Sequence, residues 1–175
     1  MTPARKRYLS AAETAKLVRQ ALKDAHPGVK FSVRSRTYAG GASVRVNWTD
    51  GPTCREVEAT TRLYEGADFD GMTDTKSYHD ALLSTEDGAE LVSFGADSVS
   101  CQRTISDEFR IQIEQEIADF TGEPYNPSKA YHVAASSNTY DGPRGLSHDR
   151  QGTTWGSDLL HRLAFSRPVP VGVTR

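Results

Sequence analysis

Apolar residues recur at helical spacing over Ser10 to Ala25, where Leu17, Val18, Ala21, Leu22 and Ala25 fall on one stripe. Ser10 and Glu13 have the S-x-x-E spacing of a capping box, and Pro27-Gly28 ends the run. The period then drops to two through VKFSVRSRTYAGGASVRVNW, which predicts a hairpin. Folding this segment about Gly40-Gly41 sets Arg36 opposite Arg45, Arg34 opposite Asn47 and Val33 opposite Trp48. One face then carries Val33, Thr37, Val44, Val46 and Trp48. The other carries Lys30, Arg34, Arg36, Arg45 and Asn47.

A second helix follows, with Thr53 and Glu56 at capping-box spacing and Cys54, Val57, Thr61 and Tyr64 as its stripe, ending near Gly66. A polar loop extends to about Gly88. Leu91–Phe94 and Ser98–Ile105 then read as a second hairpin around Gly95–Asp97. Ser106 caps a third helix whose Phe109, Ile113, Ile117 and Phe120 face one way, and Gly122 closes it. The order α-β-β-α-β-β-α predicts an α+β fold: an antiparallel four-stranded sheet made of two hairpins, with helices on one face. The compact domain is expected over residues 8–122. Residues 123–175 read as a loose polar tail with one short amphipathic helix near 157–165, built on Leu159, Leu160, Leu163 and Phe165.

Composition adds little to this picture, but charge changes it. The 175 residues and a mean hydropathy of -0.57 suit one domain with a segment outside the core. No apolar run is long enough to span a bilayer and no signal region follows Met1 to Arg7, so a cytoplasmic setting without membrane contact is expected. Cys54 and Cys101 have no metal spacing and fall on apolar faces, as reduced core thiols do. The net charge of -2 conceals ten Lys/Arg against two Asp/Glu in residues 1–49, and five against eighteen in residues 50–125. Such asymmetry either steers a polyanion to one end or cancels by pairing within the fold.

Two places carry candidate chemistry. The stretch FDGMTDTKSYHD, Phe69 to Asp80, gathers Asp70, Asp74, Asp80 and His79. It lacks the closing glutamate of a calcium loop and the two or three histidines or cysteines of a zinc site. Turn and cap chemistry accounts for it better, with Tyr78 packing inward. The rival readings are a recognition loop using Asp70, Asp74, Tyr78 and His79, and a metal-dependent enzyme built on the aspartates. The strand face with Lys30, Arg34, Arg36 and Arg45 is the stronger candidate, because guanidinium groups bind phosphate bidentately and stay charged. Arg36 opposite Arg45 is repulsive, so an anion there would relieve the pair. A solvated polar face is the plain alternative. No nucleophile motif, phosphate-binding glycine loop or dinucleotide fingerprint is present, so no catalytic residue and no cofactor is implied.

The segment PGVKFSVRSRTYAGGASVRVNWTDGP, followed by FDGMTDTKSYHD and the FGAD of Phe94 to Asp97, resembles the large polyvalent protein-associated domains, number 29 of that series. The likeness covers Tyr8 to Phe120 and leaves the tail outside. It implies a phage or conjugative-element setting and a role in protecting or handling incoming DNA, with no catalytic residues to carry over. The expected function is therefore a non-enzymatic accessory binding protein that meets nucleic acid, or a nucleoprotein defence complex, through its basic strand face. An anti-defence inhibitor that contacts a host or defence protein through its acidic middle is the other class.

Overall fold

The structure is a computed structural model, and it describes residues 6–73, 75–85, 88–135, 146–148 and 154–169. The chain forms two compact units. The first runs through Trp48 and resumes over Cys54–Gln102; the second takes Thr49–Thr53 and the chain from Arg103 onward.

The first unit opens with a strand that the hydrophobic pattern did not announce, β1 (Arg7–Ser10). Helix α1 (Ala11–Ala25) starts at Ser10, whose hydroxyl accepts from the Glu13 amide at 3.3 Å while Glu13 Oε2 accepts from the Ser10 amide at 2.8 Å. The capping box predicted from spacing is thus formed. Strands β2 (Ser32–Tyr38) and β3 (Gly41–Thr49) make the predicted hairpin. Helix α2 (Cys54–Thr61) follows and tightens into a 3-10 turn over Arg62–Tyr64. The expected polar loop is instead strand-rich, with β4 (Ala67–Asp70), β5 (Thr75–Tyr78) and β6 (Ala81–Thr85). Then come β7 (Gly88–Gly95) and β8 (Ser98–Thr104).

The fold is α+β, but the single four-stranded sheet is replaced by smaller ones. One sheet has the order β2-β3-β8 and another β1-β7-β6, while β4 and β5 pair by themselves. The second expected hairpin does not close. β7 pairs parallel with β1 and antiparallel with β6, and the chain changes sheets across Ala96 and Asp97 before β8 joins β3. Alternation reveals strands but not their partners, which is why two strands joined by a short connector passed for a hairpin.

The first hairpin has the right faces and a shifted register. Val33 pairs with Val46, Arg34 with Arg45 and Arg36 with Ser43. Only Ala39 and Gly40 form the loop, with Gly40 at φ +86°, so every pair moves two residues from the expected one. A slip of two keeps each side chain on its face, because the side-chain period is two.

Helices α1 and α2 cover one face of the β2-β3-β8 sheet. Ala15, Val18 and Leu22 of α1 and Val57 of α2 meet Val33, Val44, Val46, Trp48 and Val99 in one buried core. A second, smaller core joins Leu9 of β1 to Val92 and Phe94 of β7. Close approach sets the identity of Gly95 there. A Cβ on Gly95 would stand 2.3 Å from the Leu9 carbonyl oxygen and 2.9 Å from the Ala11 amide nitrogen. Gly95→Ala is therefore expected to cost about 1–3 kcal/mol through overpacking against backbone. Denaturant titration of the variant checks this; an unchanged midpoint would contradict it.

In the second unit Ser106 accepts from the Phe109 amide at 3.1 Å, and Gly122 at φ 74° closes α3 (Asp107–Thr121), both as predicted. The short strands β9 (Ala130–Tyr131) and β10 (Val133–Ala135) precede β11 (Leu146–His148) and β12 (Thr154–Trp155). They pair as β9 with β12 and β10 with β11. Helix α4 (Gly156–Ser166) follows. The amphipathic helix expected near 157–165 is thus present, but it is not part of a loose tail. Leu159, Leu163 and Ala164 of α4 are buried with Ile113, Ile117 and Tyr131. The boundary expected at residues 122 and 123 is accordingly replaced by one near Arg103, since α3 buries its stripe with α4 inside the second unit.

Candidate functional site

Opposite the helices, the β2-β3-β8 sheet shows a polar face. Alternation with the buried Val33, Val44, Val46 and Val99 places on it Ser32, Arg34 and Arg36 from β2, Ser43, Arg45 and Asn47 from β3, and Ser98, Ser100 and Gln102 from β8. Arg34, Arg36 and Arg45 are exposed, as is Lys30 two residues ahead of β2. No carboxylate lies along these strand positions. None of the four basic groups forms an ion pair among the described residues. The observed register sets Arg34, not Arg36, directly across from Arg45. The like-charge repulsion therefore stays, with one partner exchanged.

The polar face ends at the hairpin turn in a cluster that comes from three separate parts of the sequence. Asp97 Oδ2 accepts from the Ala42 amide at 3.0 Å, from Lys76 Nζ at 2.9 Å and from the Tyr38 hydroxyl at 3.5 Å. Lys76 Nζ also donates to the Gly40 carbonyl at 3.3 Å and lies 5.9 Å from the centroid of the Tyr78 ring. Its ammonium pKa is raised, first by the hydrogen bond to Asp97. A Cβ on Gly41 would stand 1.9 Å from Asp97 Oδ2, so a side chain there would displace the carboxylate. Asp97 thereby clasps the β2-β3 turn to the β4-β5 hairpin. The AGG, TKSY and FGAD stretches meet at this one point.

In the aspartate-rich stretch, Asp70 and Asp80 are engaged by contacts within the fold. Asp70 Oδ1 accepts from the Met72 amide at 2.9 Å and Oδ2 from the Thr73 hydroxyl at 2.8 Å. These hydrogen bonds hold its carboxyl below the usual range. Asp80 pairs with Lys6 at 2.7 Å. His79 Nδ1 stands 3.5 Å from Asp68, beside an open polar cavity of about 470 Å³ lined by Glu58, Arg62, Glu65, Asp68, His79 and Val99. Asp74 lies outside the described residues. Tyr78 was expected to pack inward, but it is 66% exposed on a short hairpin in which three of the four β5 residues are exposed. Among the described residues no group of three or more His, Cys, Asp or Glu is arranged to hold a metal ion. Both cysteines are half-buried, and burial pushes the Cys101 thiol up to about 11, as in an inert core thiol.

The TDGP stretch serves the second unit. Asp50, at φ 56°, donates its amide to the Thr104 carbonyl at 2.9 Å, and its Oδ1 accepts from the Ser106 amide at 2.9 Å. Arg103, 4% exposed, donates to the carbonyls of Asp50, Gly51, Ala164 and Arg167 at 2.8–3.1 Å.

A family model described as large polyvalent protein associated domain 29 matches residues 9–106, more than half of the chain. This chain belongs to that family. No curated protein and no solved structure compared with it matches. In this member of the polyvalent-domain family, the matched stretch begins at Leu9 and ends at Ser106, the cap of α3, so it covers the first unit from β1 onward and reaches Arg103 of the second. The sequence pointed to the arginine face but missed Lys76 beside it, and it named Asp97 within FGAD without placing it there. No helix among the described residues is long and apolar enough to cross a membrane.

Proposed function

We propose that this chain is a non-enzymatic accessory binding protein of a phage or mobile element, and that its polar sheet face meets nucleic-acid phosphates. One contrast carries the reading. Asp50, Asp70, Asp80 and Asp97 are engaged by the fold, whereas Arg34, Arg36 and Arg45 stand exposed on a strand face without carboxylates. An anion bridging Arg34 and Arg45 would relieve their repulsion, and phosphate matches the guanidinium fork. Such contacts position a backbone and carry no base information.

The test is DNA binding titrated against salt for the parent chain and Arg34→Ala/Arg45→Ala. The parent's logarithmic slope should shrink by about 0.7–0.9 for each phosphate contact removed. Affinity should fall by similar factors on unrelated sequences. The fold should keep its stability, because the change removes a repulsive pair. Absent binding at low salt, or an unchanged slope in the variant, would move attention to the acidic middle and to an inhibitor that acts by protein–protein contact.

A further inference from the structure

The turn end of the arginine face holds two exposed tyrosines. Tyr38 shares its strand side with Arg34 and Arg36, in an unbroken i, i+2, i+4 row, and is 45% exposed. Tyr78 lies on the neighbouring β4-β5 hairpin, with Lys76 Nζ 5.9 Å from its ring centroid. Asp97 joins the two sites by accepting from both the Tyr38 hydroxyl and Lys76. Along the β2 row, from Arg34 to Tyr38, the Cα path is about 13 Å at the usual rise per residue. Charge runs along this row and aromatic surface closes it.

We propose that the face takes single-stranded nucleic acid, with its backbone along Arg34, Arg36 and Arg45 and unpaired bases stacked on Tyr38 and Tyr78. This rests on the phosphate reading above and adds the strandedness of the ligand. Bases within a duplex are already stacked on one another and turn only their edges outward. Aromatic side chains on a sheet face can reach their π surfaces only when the strand is single. Aromatic side chains beside guanidinium groups meet both needs of such a strand, and every base offers a π-face. The clasp at Asp97 keeps Tyr38 and Lys76 at fixed positions, which reduces the ordering cost when a base arrives.

The experiment compares a short labelled oligothymidylate and a mixed-sequence single strand with a duplex of equal length, by fluorescence anisotropy at fixed low salt. The full chain would be used as parent, Tyr38→Ala/Tyr78→Ala, Tyr38→Phe/Tyr78→Phe and Arg34→Ala/Arg45→Ala. The parent should bind the single strands more tightly than the duplex. The alanine pair should lose about tenfold per tyrosine on single strands, with little change on duplex. The phenylalanine pair keeps both rings and should retain the parent's preference. Thermal unfolding of each variant separates loss of fold from loss of stacking. Should the alanine pair bind single strands as the parent does while the arginine pair weakens them, stacking is wrong and the phosphate reading stands. A duplex preference in the parent would equally overturn the inference. If no probe binds the parent at low salt, the underlying phosphate reading fails with it.

Discussion

A chain ending at Glu123 is expected to keep the first unit and lose the second. The truncation removes Leu159, Leu163 and Ala164, which bury Ile113 and Ile117 of α3, and it removes Tyr131 with them. Full burial of each large apolar side chain is worth about 1.5–3 kcal/mol. For the four Leu and Ile residues the lost burial approaches the whole net stability of a typical domain, about 5–15 kcal/mol. The truncation also takes away Arg167, whose guanidinium holds Glu116 through contacts of 2.6 and 2.9 Å. The core of α1, α2 and the β2-β3-β8 sheet involves none of these residues. The truncated chain should therefore retain a cooperative transition but lose α3 as well as α4 from its circular dichroism. Hydrogen exchange resolves the units directly. Protection of the α3 amides equal to that in the full chain would show that α3 does not depend on α4.

Arg103→Met should unfold the same unit from its other end. The guanidinium meets four backbone carbonyls: Asp50 and Gly51 in one turn, Ala164 and Arg167 at the end of α4. A buried carbonyl left without a donor costs about 1–3 kcal/mol, and the four are coupled, so their costs do not simply add. A total of about 3–5 kcal/mol is expected, the range seen when one side of a buried charged contact is removed. Arg103→Lys should recover only part of it, since an ammonium cannot reproduce the planar fork that spans two segments. The readout is exchange of the α3 and α4 amides with those of α1 as internal reference. Equal protection of α3 and α4 in parent and Arg103→Met would remove Arg103 from this role.

These two variants separate stability from binding. Neither alters Arg34, Arg36, Arg45, Tyr38 or Tyr78, all of which belong to the first unit. Substitutions on the polar face act in the opposite way. They touch exposed side chains outside the three cores, so a change in affinity there reports on contact and not on folding.

Local pattern determined what local physics controls. The Ser10 and Ser106 caps, the Gly122 stop and the helical stripes depend on residues within a turn or two, and they were legible before any partner was known. The arginine face was legible for a related reason. Alternation assigns each strand residue to a face, and the two-residue slip from Arg36 opposite Arg45 to Arg34 opposite Arg45 leaves that assignment intact. Only the tertiary structure decided which elements meet. Nothing in the alternation of β7 and β8 says that they belong to different sheets. Nothing in the stripe of α3 says that α4, some forty residues on, will cover it. The clasp joins Tyr38, Lys76 and Asp97, whose separations in sequence are 38 and 21 residues. An apolar stripe or a charged side chain specifies that it needs a partner and what kind. Which partner it obtains is settled by the competition among all long-range pairings for one close-packed arrangement.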